Sequence, residues 1–294
     1  MKTPIKDFLT LYRPFNLLLA GLAYALGISM AKYLGIPLMP DILLEGALFV
    51  LLIVAVSSAL NAYFAPEYEF PKTIEDQQER YLLLRLLFVS ALVMLGLCAM
   101  ILLLLIRSDS IVPTALFFII IYTIIALSAS IPPARLADKG FGEFAEAILV
   151  SGLPISVAFM LQAHQVHRMV SYFSFPVTLL ALVFFLVMDF PRYGTDQKNG
   201  RQSLLLRLSW QRGIRIHNYL LAVVFLLLAA APFFGIPLGV CWPPLLTLPL
   251  AIYQTIMLRN ISIGMAPNWS VLKVNGSALI GLAIYLLAFT FWMQ

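Results

Sequence analysis

From residue 15 onward the chain is a succession of long apolar runs, each closed by a short polar or proline-rich break. An α-helix needs about 20 mostly apolar residues to cross the hydrocarbon core of a bilayer. Residues 15–34, 43–65, 83–106, 113–131, 143–163, 170–189, 216–234, 239–258 and 272–292 each meet that requirement. Apolar residues fall on most faces of these runs rather than along one stripe, as in helices surrounded by lipid or by one another. No segment reads as a soluble domain or a low-complexity tract. The pattern predicts an all-α membrane protein, a single polytopic domain over residues 1–294 built as a bundle of about nine transmembrane helices.

The breaks alternate in character. Residues 35–42, 107–112, 164–169 and 235–242 are short and poor in acids. The intervening breaks are longer and charged: PEYEFPKTIEDQQER, PPARLADKG, FPRYGTDQKNGRQSLLLRLSWQRGIR and RNISIGMAPNWSVLK. These hold most of the Lys and Arg, together with Lys2, Lys6 and Arg13 at the N-terminus. Basic loops stay on the cytoplasmic side, so the N-terminus and the charged breaks are expected in the cytoplasm and the C-terminus outside.

Composition supports this reading. The chain is 62% hydrophobic and 11% charged, with a mean hydropathy of +0.94. A soluble domain carries about 25% charged residues, so this one has too little polar surface to cover a globule. The N-terminal MKTPIKDFLTLYRPFN runs into a full-length span rather than a short apolar core with a small-residue cleavage site, and reads as no cleavable signal. The net charge of +5 reads as loop charge that sets orientation, with no nucleic-acid partner. Cys98 and Cys241 lie in apolar segments, which argues against a disulfide framework. An integral, multi-pass protein of a prokaryotic cell membrane, surrounded by membrane lipid, is the expectation.

Candidate chemistry gathers where two spans end. The second closes in NAYFAPEYE and the sixth in MDFPRYGTDQKNG. Asn61, Ala65 and Glu69 are spaced to share one face of a helix that continues past residue 61, although Pro66 threatens that helix. Asp189, Arg192 and Asp196 are spaced in the same way, with Pro191 marking a kink. A solvated helix end would account for one such acid. Two clusters on one side, joined by basic residues, favour a site, since acids are costly at a membrane boundary. Paired carboxylates beside Lys and Arg suit Mg²⁺ bridging a diphosphate. Asn61 and Asp189 are 128 positions apart, which is compatible with a duplicated helix bundle.

Four stretches together resemble the UbiA superfamily of intramembrane prenyltransferases, in the branch that includes 1,4-dihydroxy-2-naphthoate prenyltransferases. YRPFNLLLAGLAYALG is similar to the family's opening Arg-Pro-Phe helix. NAYFAPEYE resembles its first Asp-rich motif, N-D-x-x-D-x-x-x-D. SIPPARLADKGFGEF resembles a Pro-Pro-x-Arg-Leu-x-x-x-Gly-x-Gly-Glu loop. DFPRYGTDQKNGRQSLLLRL resembles the second motif, x-F-P-D-x-x-x-D-x-x-x-G-K-x-T-L. The departures fall on the acids. Ala62 and Ala65 stand where the first motif has aspartates, and Glu69 holds the last acidic position with Glu67 nearby. Arg192 stands for the first aspartate of the second motif, Arg201 for its lysine and Ser203 for its threonine, while Asp196 and Gly200 match.

The resemblance implies transfer of an isoprenyl chain from a prenyl diphosphate to a small lipophilic or aromatic acceptor, a quinone precursor among them, with Mg²⁺ as cofactor. Carried onto this sequence, it makes Asn61, Asp189 and Asp196 the catalytic candidates. Asn61, Glu67, Glu69, Asp189 and Asp196 are the candidate metal ligands. Arg135, Lys139, Arg192, Lys198 and Arg201 are candidate diphosphate contacts, with Arg13 in reach. The thinned acids leave a second reading open: a UbiA-like protein without transferase activity that binds a lipid, a quinone or a partner enzyme. A transporter would show paired charges within spans, and few are present.

Other polar positions read as structural. Tyr63, Tyr122 and Tyr193 fit an interfacial aromatic belt better than a cavity lining. His164 and His167 read as a solvated outer loop, and Asn260, Asn268 and Asn275 as the last cytoplasmic loop and the start of a helix. Gly276 and Gly281 are expected to permit close helix packing.

Overall fold

The computed structural model describes residues 4–66, 77–107 and 111–294, with side chains from residue 8 onward. Among the described residues nine helices are long and apolar enough to cross a membrane. They are α1 (Pro14–Tyr33), α2 (Pro40–Tyr63), α3 (Gln77–Arg107), α4 (Pro113–Ser130), α5 (Gly142–Ala163), α6 (Arg168–Lys198), α7 (Trp210–Phe234), α8 (Leu238–Ser262) and α9 (Trp269–Met293). Each falls on an apolar run of the sequence. The starts of α3 and α7 lie earlier than hydropathy alone predicts. Their opening turns, QQERYL and WQRGIR, are polar but hold good helix formers, so the helix extends beyond its apolar segment.

Proline marks the starts. Pro14, Pro40 and Pro113 each open a helix, where the missing N–H has no intrahelical partner to lose. Two helices change pitch on the way. α5 passes through a π-helical turn at Ile148–Gly152, and α6 through a 3₁₀ turn at Phe190–Arg192.

The helices pack as a closed bundle. α1 packs against α2, α5 and α9, while α6 packs against α5, α7 and α9. The first and last spans are therefore neighbours. α5 and α6 are the most buried spans, and α3 lies at the rim against α2 with most of its surface exposed. Gly27 sets the closest approach of α1 to α5. A Cβ there would lie 2.7 Å from the Ala158 Cβ and closer still to the Ile155 carbonyl oxygen.

A buried polar chain ties the second half together. Asn275 Nδ2 donates to Gln254 Oε1 at 3.0 Å and to the Leu250 carbonyl at 3.0 Å, and the Gln254 amide meets His217 Nε2 at 2.9 Å. Each member has a partner, which is what polar groups need inside an apolar bundle.

The structure bears on several local expectations, correcting those for Asn275, Tyr122 and Gly281. Asn275 lies in the bundle rather than near a loop, because Gln254 and His217 supply its partners. Tyr122 is fully buried and donates to the Val50 carbonyl, so it belongs to the core and not to a belt. His167 caps α6, accepting from the Met169 N–H at 3.3 Å. Asn268 caps α9 by accepting from the Val271 N–H at 3.2 Å. Gly276 does face close neighbours, Val187 and Gln254, but Gly281 has nothing within 4 Å of a Cβ built there. Cys98 and Cys241 are buried and free.

Candidate active site

Adjacent spans run in opposite directions, so α1, α5 and α9 begin at the end of the bundle where α2 and α6 finish. The polar residues of these five ends face one another across two adjoining chambers. The first, about 330 Å³, is lined by Thr10, Arg13, Ser58, Asn61, Ala62, Ala65, Arg192, Thr195, Asp196 and Arg201 among others. The second, about 410 Å³, is lined by Phe15, Asn16, Glu143, Glu146, Phe184, Phe185, Met188, Asp189, Lys273 and Ser277 among others. Arg13, Arg192 and Arg201 line both.

Local sequence explains how each side chain arrives. The short helix Pro4–Leu11 ends before α1, and Arg13 takes a left-handed conformation, φ 50°, between them. Its guanidinium forms an ion pair with Glu146 of α5. Asn61 and Ala62 sit in the last turn of α2, both buried. The helix ends at Tyr63. Asn61 and Ala65 therefore do not share one continuous helical face, because Pro66 lacks a donor and disfavours helix at the residue before it. Ala65 still reaches the first chamber from beyond the helix end. Glu67 and Glu69 lie outside the described residues.

At the end of α6 the proline behaves differently. Pro191 lies in the 3₁₀ turn, which absorbs its missing donor, and the helix resumes over Tyr193–Lys198. The turn keeps Asp189, Arg192 and Asp196 near one another. Asp189 lines the second chamber, Asp196 the first and Arg192 both. Asp196 is 4% exposed. Gly200, at φ 70°, supplies the left-handed turn that a side chain disfavours, and the chain doubles back to place Arg201 Nη1 3.9 Å from Asp196 Oδ2. Ser203 then caps the short helix Leu204–Leu208, accepting from the Leu206 N–H at 3.3 Å.

Glu143 fastens this loop to α5. Its Oε1 accepts from the Leu204 N–H at 2.9 Å. The residue is 9% exposed, and its Oε2 has no hydrogen-bond partner, nor has Asp189 Oδ2. The two carboxyls lie side by side, with Glu146 and Arg201 nearby. A buried acceptor without a partner is costly, and a proton held between these two carboxyls, which lie within hydrogen-bond reach of each other, would satisfy both. Three aromatic rings, Phe15, Phe184 and Phe185, line the second chamber beside its charged groups. The Phe15 and Phe184 rings lie 5.2 Å apart, and those of Phe184 and Phe185 5.1 Å.

Three of the expected diphosphate contacts are elsewhere. Arg135 pairs with Asp138 at 2.7 Å, and Lys139 Nζ donates to the Pro133 carbonyl at 2.8 Å. Lys198 is exposed, and none of the three is among the residues lining either chamber. Conversely, Glu146, Lys273 and Ser277 line the second chamber without having been singled out. The i, i+3 spacing of Glu143 and Glu146 at the start of an apolar span was the available signal for the first. Lys273 and Ser277, about one and two helical turns into α9, carried none.

The described donors do not by themselves form a metal cage. Among the described residues no group of three or more His, Cys, Asp or Glu is placed to hold a metal ion. In the first chamber the wall positions at 62 and 65 present methyl groups, and Asp196 is the one lining carboxylate among the described residues. Mg²⁺ demands near-octahedral oxygen coordination, and Asp196 already faces Arg201.

No protein-family model and no curated protein matches the sequence. Solved structures do match. A UbiA homologue from Archaeoglobus fulgidus bound to DMAPP and Mg²⁺ superposes with a TM-score of 0.63 at 17% identity, covering 96% of this chain and 99% of that one. The same homologue bound to GPP and Mg²⁺ gives the same values. A structure described as digeranylgeranylglyceryl phosphate synthase in membranes gives 0.61 at 17% identity, covering 99% of each chain. The chain is thus an integral, multi-pass membrane protein that shares the all-helical fold of these UbiA homologues.

Proposed function

We propose that the protein transfers an isoprenyl group from a prenyl diphosphate to a small lipophilic or aromatic acceptor, such as a quinone precursor, within the membrane. The observation that carries this reading is the pair of chambers with a shared wall of Arg13, Arg192 and Arg201. One chamber is cationic and opens among polar helix ends. The other shares those arginines, adds Lys273, and sets three aromatic rings beside the carboxyls of Glu143, Glu146 and Asp189. A diphosphate suits the first, and an allylic carbon with its acceptor suits the second. The shared fold supports the reading, since the similar structures carry DMAPP or GPP with Mg²⁺.

The residues divide the work as follows. The bond between C1 of the prenyl chain and the diphosphate oxygen breaks, and its electron pair leaves with the diphosphate. The guanidiniums of Arg192 and Arg201 meet the developing charge, a term that grows in a preorganised, water-poor site. Phe15, Phe184 and Phe185 wall the allylic cation from water and offer it their ring faces. The acceptor attacks C1, and its proton passes to a carboxylate oxygen of the Glu143–Asp189 pair.

A second reading has its own observation. Ala62 and Ala65 line the first chamber where acids would hold metal, which favours a UbiA-like protein that binds a lipid, quinone or partner enzyme without turnover. Purified protein in lipid nanodiscs, given radiolabelled prenyl diphosphates of several lengths and a panel of aromatic acceptors, separates the two. Labelled hydrophobic product with released inorganic diphosphate supports transfer. Binding of the labelled substrate without product supports the second reading, and the absence of both binding and product contradicts the two together.

A further inference from the structure

We infer that the first chamber grips the diphosphate group chiefly through Arg13, Arg192 and Arg201, and so holds a prenyl diphosphate even when divalent cations are removed. This rests on reading that chamber as the diphosphate site. Three guanidiniums and one carboxylate, Asp196, line it and Glu146 pairs with one of the three, Arg13, so the described groups carry 3 − 2 = +1 before any cation is added. A guanidinium presents planar paired donors that match two phosphate oxygens at once, and Asn61, Ser58 and Thr195 add neutral donors around them.

The arginines are also held in place. Glu146 pairs with Arg13 from the side of the second chamber, and the turn at Gly200 returns Arg201 to 3.9 Å from Asp196. Arg192 sits on the 3₁₀ turn of α6, exposed and shared by both chambers. A divalent cation placed at Asp196 would lie against Arg201, and that like-charge contact is unfavourable at any local dielectric. On the α2 wall it would meet only neutral oxygens, those of Ser58 and Asn61, with the methyl groups of Ala62 and Ala65 beside them. The chamber's own groups therefore supply the positive charge that a metal cage would otherwise provide.

The test is calorimetric titration of the detergent-purified protein with geranyl S-thiolodiphosphate, a poorly reactive analogue, in EDTA and in Mg²⁺. The expected dissociation constants differ by no more than about tenfold between the two conditions. Arg192→Ala is expected to weaken binding in EDTA by about 10- to 100-fold, the loss of a charge-assisted hydrogen bond, with Arg192→Lys intermediate and both variants eluting as folded protein. The double variant Ala62→Asp/Ala65→Asp is expected to shift binding toward Mg²⁺ dependence. Wild-type binding seen only with Mg²⁺, or binding in EDTA indifferent to Arg192, overturns the inference and leaves the diphosphate chamber standing. No binding under either condition overturns the chamber assignment itself.

Discussion

Asp196 and Glu143 are buried carboxylates with opposite duties. Asp196 faces a guanidinium across the first chamber, and its role is to hold charge in place. Asp196→Ala is expected to lower prenyl transfer by about 10²–10³-fold, because Arg201 loses the carboxylate that aims its guanidinium donors at the diphosphate, while the purified variant elutes as wild type does. Near-full turnover would remove Asp196 from the machinery. Glu143 spends one oxygen on the Leu204 N–H and leaves the other open. Glu143→Gln keeps an oxygen for that backbone bond and removes the base. Turnover is expected to fall by about 10²–10⁴-fold with the affinity for geranyl S-thiolodiphosphate unchanged, as read by paired rate and titration measurements. At this scale the sequence was legible where a motif fixed the spacing: Asp196, Gly200 and Arg201 sit together as their order along the chain implied. It was silent on Lys273 and Ser277, because a polar residue one turn into an apolar helix looks the same whether it faces a chamber or the cytoplasm.

Helix ends show how little a single proline decides. Pro66 follows an α2 that has already stopped at Tyr63, whereas Pro191 sits inside a chain that stays helical to Lys198. The difference is local: the missing donor of Pro191 is absorbed by a 3₁₀ turn, after which the helix resumes. Hydropathy cannot report that, so the existence of each span was clear from the apolar runs and its end was not. Packing is equally position-specific. Gly27 has the α5 backbone against it, and Gly281 has open space. Gly27→Ala is expected to destabilise the bundle by about 1–3 kcal/mol, the usual cost of overpacking, and Gly281→Ala to leave it unchanged. Thermal unfolding in detergent reads both, and equal effects would contradict the close α1–α5 approach.

For the molecule as a whole, the concentration of Lys and Arg in alternate breaks predicts the orientation, and the nine spans among the described residues place the two termini on opposite sides. The two chambers open at the charged end, which the basic-loop pattern assigns to the cytoplasm. Reporter fusions after residues 137, 200 and 265 are expected to report cytoplasm, and fusions after 38, 166 and 238 the outside. A cytoplasmic signal at 238 would break the order of α7 and α8.

The division of labour between the chambers is tested most directly by a crystal structure of the protein with geranyl S-thiolodiphosphate. The diphosphate is expected between Asn61 and Arg192, within hydrogen-bond reach of Arg192 and Arg201, with C1 beside the open oxygens of Glu143 and Asp189 and the geranyl chain against Phe184 and Phe185. A diphosphate bound outside the first chamber, on Arg135, Lys139 or Lys198, would contradict the account.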